Sequence, residues 1–73
     1  MKIDIKPIQA ELQEIAGNCQ LKVKLDNRMD AACSSGESDK GYCISFNPKR
    51  IRTKNQLDNH INWLRGDIGG VGI

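Results

Sequence analysis

Apolar residues recur along this chain with two different periods, and the change of period marks its elements. Ile8, Leu12 and Ile15 stand at i, i+4 and i+7, with Gln9, Glu11, Gln13 and Glu14 between them. That spacing gives one apolar stripe on an amphipathic helix. The helix is expected from about Lys6 to Ala16. Pro7 suits its first position, where the missing N–H goes unmissed, and Gly17-Asn18 suits its stop. The period then drops to two in Gln20-Leu21-Lys22-Val23-Lys24-Leu25, where Leu21, Val23 and Leu25 point one way and the lysines the other. This is a half-buried strand with one solvated face. Asp26-Asn27 reads as a turn. Met29 to Cys33 reads as a short, weak second strand. Ser34 to Gly41 (SSGESDKG) has no apolar residue and reads as the polar turn of a long hairpin. Tyr42, Ile44 and Phe46 alternate with Cys43 and Ser45 in a third strand, which Asn47-Pro48 ends because proline donates nothing to a ladder.

The last stretch returns to a helical period. Thr53-Lys54-Asn55-Gln56 fits a capping box, in which the Thr side chain takes an orphan amide and the Gln reaches back. Leu57, Ile61, Leu64 and Ile68 follow on one stripe. The closing Gly-Gly-Val-Gly-Ile, from position 69 to 73, reads as a fraying tail. The expected fold class is therefore α+β. It is a small two-layer sandwich with the order helix, two- or three-stranded antiparallel sheet, helix, in a single domain over 1–73.

Length narrows this further. Seventy-three residues give one thin core and exclude a two-lobed enzyme, a Rossmann domain or a barrel. No apolar run approaches the ~18 residues that cross a bilayer. The N-terminal stretch also lacks the continuous apolar core of a signal peptide. The expected compartment is the cytoplasm, with no membrane partner. Three cysteines, an odd number, fit reduced thiols there. Cys33 and Cys43 flank the polar turn and are the pair that a hairpin could bring together, but buried apolar roles are the expectation for all three.

Charge changes the picture more. The formal net charge is only +2, yet it is unevenly placed. Residues 1–48 hold six Lys or Arg against seven Asp or Glu, and residues 49–73 hold five against two. Lys49, Arg50, Arg52 and Lys54 crowd the start of the second helix, whose unpaired N–H groups already make that end positive. Such an arrangement is unfavourable unless an anion uses it. Two readings stand: a solvated basic loop, or a site for phosphate or an acidic protein surface. On the flank of the same helix, Gln56, Asn59, His60, Trp63 and Asp67 fall together at 100° per residue. Trp63 thus sits at the border of the apolar stripe, either lapping over the sheet edge as core or standing out as an anchor for a partner.

Catalytic and metal chemistry find little support. Cys19, Cys33, Cys43 and His60 are far apart and include no C-x-x-C pair. Glu11 and Glu14 lie on a polar helix face, and the glycine-rich end has no following helix to cradle a phosphate. No cofactor and no metal is expected.

The order and residues of positions 25–64 nevertheless show a likeness. A strand runs into Asn27-Arg28-Met29, then Ala31-Ala32-Cys33, a Gly-containing turn, and Gly41-Tyr42-Cys43-Ile44-Ser45-Phe46. Asn47-Pro48 and a basic connection follow, and a helix opens its motif at His60. This resembles the core of the SprT-like zinc metallopeptidases, the fold of the Spartan DNA–protein crosslink proteases. The resemblance covers slightly more than half of the chain and implies the helix–strands–helix scaffold. In the family the helix carries H-E-x-x-H; here the positions read His60-Ile61-Asn62-Trp63-Leu64. Only His60 remains. Ile61 stands where a carboxylate would activate water and Leu64 where a second ligand would bind zinc, so the resemblance argues against protease activity. In size and character the chain also resembles small phage or mobile-element accessory proteins, among them anti-CRISPR proteins. The expected function is a non-enzymatic binding protein that inhibits a host defence complex by docking through the second helix and the basic segment. The alternative is a small nucleic-acid binder that uses Lys49, Arg50, Arg52 and Lys54 on phosphates.

Overall fold

A computed structural model describes residues 2–69. The order is α1 (Ile5–Ala16), β1 (Leu21–Leu25), β2 (Cys33–Ser38), β3 (Gly41–Phe46) and α2 (Lys54–Gly69), an α+β fold of two helices on a three-stranded sheet. No helix among the described residues is long and apolar enough to cross a membrane.

Asp4 caps α1 by accepting the Lys6 N–H at 3.1 Å, and Gly17 closes the helix with φ +66° and a bond to the Gln13 carbonyl at 3.0 Å. Pro7 consequently sits inside the first turn rather than at its first position, and its missing N–H still costs no helical bond. Ile8 and Leu12 are buried. Ile15, expected on the same stripe, is 37% exposed at the helix end.

The sheet is mixed, with strand order β1–β3–β2. β1 runs parallel to β3, with Leu21 opposite Tyr42 and Leu25 opposite Phe46; β2 runs antiparallel to β3, with Cys33 opposite Phe46 and Ser38 opposite Gly41. The all-antiparallel expectation is corrected by the path of the chain. After β1 it crosses the end of β3, returns along the far edge as β2, and re-enters the middle as β3. Asn47 fastens this crossing. Only 2% exposed, it donates its side-chain amide to the Met29 carbonyl at 2.7 Å and its backbone N–H to the Ala32 carbonyl at 2.8 Å.

The second correction concerns β2. The stretch expected as a polar turn is mostly strand, and only Asp39-Lys40 turns. Of Met29 to Cys33, expected as strand, Met29 to Ala32 belong to the crossing and Cys33 opens β2. Pairing with the central strand, rather than apolar side chains, makes CSSGES a strand. In this register Cys33 lies on the helix side beside Phe46, whereas Cys43 faces the other way opposite Gly36. The two thiols therefore do not meet. Cys19 and Cys43 are exposed and Cys33 is half-buried, so the expectation of buried cysteines fails for two of the three.

α1 packs on β1, and α2 packs on α1. Arg65 of α2 pairs with Glu11 of α1, and a side chain at Gly69 would touch Ile15. Both contacts join positions four apart on each helix, so the helices run in the same direction. Leu57, Ile61, Leu64 and Ile68 are all buried, as expected, and share one core with the fully buried Leu12, Ile44, Phe46 and Ile51 and with Ile3, Ile8, Leu21 and Val23. Residues 70–73 of the expected tail lie outside the described residues.

Candidate docking surface on the second helix

The basic segment is shaped by one buried residue. Ile51 is fully buried, and the turn before it is held by Asn47, whose carbonyl accepts the N–H groups of Arg50 and Ile51 at 3.1 Å each and whose side chain accepts that of Lys49 at 3.0 Å. With Ile51 anchored inward, Arg50 and Arg52 on either side of it are turned to solvent. Lys49, Arg50, Arg52 and Lys54 are all exposed. Among the described residues none of the four comes within ion-pair distance of a carboxylate.

The capping box forms as read. Gln56 N–H donates to the Thr53 hydroxyl at 3.2 Å, while the Gln56 side-chain oxygen accepts the N–H groups of Thr53 at 3.3 Å and of Arg52 at 2.7 Å. Gln56 is thus spent on the helix start. Several amides that an incoming anion would use are already satisfied, which leaves the cationic side chains as the main attraction of this end.

The two flanks of α2 differ. Asn62, Arg65 and Gly69 are on the flank toward α1, where Arg65 donates to both Glu11 and Asn62. The opposite flank carries Gln56, Asn59, His60, Trp63 and Asp67, and it looks across β3 toward β2. Asn59 is exposed, His60 is half-buried and Trp63 is 61% exposed. Of the two readings of Trp63, the structure selects the exposed one. The reason is its angle to the stripe: Leu64, the next residue, is fully buried and fixes the helix rotation.

The far end of this flank is acidic. The Tyr42 phenol is raised above its ordinary value, first by the charge of Glu37, then by partial burial, then by Cys19 and Asp67. Asp67 at the end of α2 and Glu37 in β2 therefore share one neighbourhood. The flank runs from a basic beginning at Lys49–Lys54 to an acidic end at Asp67 and Glu37.

The positions that correspond to a metallopeptidase motif do different work here. Ile61 and Leu64 are core residues, and only His60 reaches the surface. No group of three or more His, Cys, Asp or Glu that would hold a metal ion occurs among the described residues. Glu11, one of the two helix carboxylates, is engaged with Arg65, while Glu14 is exposed.

Sequence reading missed two features of the polar surface. Gln9 donates its side-chain amide to the Leu21 carbonyl and accepts the Val23 N–H at 2.7 Å; Gln13 accepts the Leu21 N–H at 2.9 Å and donates to the Cys19 carbonyl at 2.8 Å. Two glutamines of α1 thus close the outer edge of β1. The other feature is β2 itself, an edge strand hidden in what reads as a turn. Compared with family models, curated proteins and solved structures, this chain matches none.

Proposed function

We propose that this protein is a non-enzymatic binding protein acting in the cytoplasm, which docks on a partner protein through the outer flank of α2 and the basic segment before it. The finer reading is an inhibitor, of phage or mobile-element origin, aimed at a host defence complex. One observation carries the docking reading: a tryptophan 61% exposed on a helix whose neighbouring residues pack a complete core. An indole left in water forgoes burial of a large apolar surface, and partly exposed tryptophans are typical anchors of protein interfaces. Four unneutralised cations at the start of the same helix supply attraction and orientation for an acidic patch on the partner.

The test is affinity capture from the source cell, with wild type and Trp63→Ala compared. Trp63→Ala is expected to keep the wild-type circular dichroism and melting curve while the captured complex falls by at least about tenfold. Capture that is indifferent to Trp63 and to Arg50→Ala/Arg52→Ala defeats the reading. So does tight nucleic-acid binding that collapses between low and moderate salt and weakens on every sequence in the double Arg variant, which assigns the segment to phosphates instead. Stoichiometric zinc in the purified protein would overturn the non-enzymatic assignment.

A further inference from the structure

The two edges of the sheet are treated differently. Tyr42 donates its N–H to the Gln20 carbonyl and Phe46 accepts the Asp26 N–H, so Tyr42, Ile44 and Phe46 turn their backbone groups toward β1. Gly41, Cys43 and Ser45 then serve β2, opposite Ser38, Gly36 and Ser34. Cys33, Ser35 and Glu37 are left with their N–H and C=O groups pointing outward. At β1 the corresponding groups of Leu21 and Val23 are met by Gln9 and Gln13. At β2 nothing among the described residues meets them. The edge carries no proline and, at its outward-facing positions, one charge, Glu37. Edge strands are ordinarily blunted by such devices.

We propose that the occupant of this edge is a second copy of the same chain, paired antiparallel through β2. This rests on reading the outer flank of α2 as a docking surface and names what covers Trp63. Three observations converge. First, the outward residues are symmetric about Ser35. A two-fold axis there pairs Ser35 with Ser35, and Cys33 with Glu37 of the other copy, so every outward N–H and C=O from Cys33 to Glu37 finds a partner. Interfaces of this isologous kind must be self-complementary. Second, the charge polarity is self-complementary too. The basic segment begins next to Cys33, since Asn47 bonds Ala32, while Glu37 and Asp39 lie at the other end of the hairpin. Reversing one copy brings Glu37 and Asp39 toward Lys49, Arg50, Arg52 and Lys54 of its mate. With Lys40 in the same turn as Asp39, five cations against two carboxylates leave each end of the dimer net positive for a target. Third, Trp63 fits the gap. With strands about 4.8 Å apart, the two β3 strands lie about 14 Å from each other. The α2 helices above them then also lie about 14 Å apart, wider than the ~9 Å at which helices pack directly, so a seam is left between their facing flanks. The side chain on the facing flanks that is large enough to fill that seam is Trp63, from each copy. The product is a six-stranded sheet under four helices.

The experiment is sedimentation of the full chain from about 10 μM to about 1 mM, a range suited to a small interface. Wild type is expected to pass from one 8.1 kDa unit toward twice that mass. Ser35→Pro removes an N–H that the monomer's own ladder does not use, and edge positions of this kind tolerate proline. It should remain monomeric with an unchanged dichroism spectrum. Trp63→Arg should weaken the dimer at least about tenfold. If Ser35→Pro fails to fold, amide exchange on wild type decides: the Ser35 N–H should become protected with rising concentration, while the already paired Cys43 N–H should not change. A wild type monomeric throughout, a dimer that survives Ser35→Pro, or a Ser35 amide indifferent to concentration overturns the proposal. A monomer whose capture of a target still depends on Trp63 defeats the dimer and leaves the docking reading standing. A β2-paired dimer whose target capture ignores Trp63 and the arginines defeats the docking reading and leaves the dimer.

Discussion

Single side chains decide this protein's edges and its chemistry. Gln9 looks in sequence like filler on the polar face of an amphipathic helix, yet its amide replaces a missing neighbouring strand for Leu21 and Val23. Gln9→Ala leaves a part-buried N–H and carbonyl unpaired. The expected cost is about 1–3 kcal/mol in urea unfolding, out of a total stability of about 5 kcal/mol typical of so small a domain. Gln9→Glu is a sharper probe, since it keeps an acceptor for Val23 but sets a carboxylate oxygen against the Leu21 carbonyl; it should cost at least as much as Gln9→Ala at neutral pH. Cys33 and Tyr42 make a second residue-scale prediction. Burial lifts the Cys33 thiol above its ordinary 9.0, and Glu37 lifts the Tyr42 phenol above its ordinary 10.0. Both groups hold their protons more tightly in the folded chain than in the unfolded one. Stability is therefore fully present below the ordinary thiol value and is lost as pH rises through the raised values. The urea midpoint should drop as pH rises above about 9, and Cys33→Ala should delay the onset of that drop. A flat midpoint in wild type excludes both contributions.

The elements differ in how far local chemistry specifies them. α2 is written almost completely in its own residues, from the Thr53–Gln56 box to the stripe Leu57, Ile61, Leu64 and Ile68. Thr53→Ala removes the hydroxyl that takes the Gln56 N–H at 3.2 Å and should cost about 1 kcal/mol. In a domain of this length that is about 4–8 °C of melting temperature, readable by calorimetry. β3 is equally legible because Tyr42, Ile44 and Phe46 alternate and a proline follows. β2 is illegible for a physical reason. Its side chains are Ser, Gly and Glu, so no burial pattern announces it, and its backbone is extended only because Gly41 to Phe46 lies alongside. β1 is half legible: Leu21 and Val23 are buried as their alternation predicts, but Leu25, one step further on the same face, is 44% exposed.

At the scale of the whole molecule, the neighbours Trp63 and Leu64 show how one helix serves both the core and the surface. Leu64→Ala cuts into a fully buried position and should cost about 2–5 kcal/mol, enough to unfold much of the population. Trp63→Ala should cost less than about 1 kcal/mol, because its side chain stands mostly in water. If thermal melts of the two variants coincide, Trp63 is core after all and the docking surface disappears. The candidate surface itself was readable in part. The cation cluster and the helix flank follow from residue spacing alone, since 100° per residue puts Asn59, His60 and Trp63 on one side wherever the helix goes. Whether that side meets protein or water depends on how α2 is rotated against its neighbours. The sequence by itself determined the two helices, the central strand, the cap and the separation of charge, because each depends on contacts within a few residues. Only the tertiary structure decided the parallel β1–β3 pairing, the strand status of CSSGES, the closing of one sheet edge by Gln9 and Gln13, and the exposure of Trp63. Those depend on which distant segments lie side by side, and that is settled by the crossing that Asn47 fastens and by the shared core of α1, α2 and the sheet.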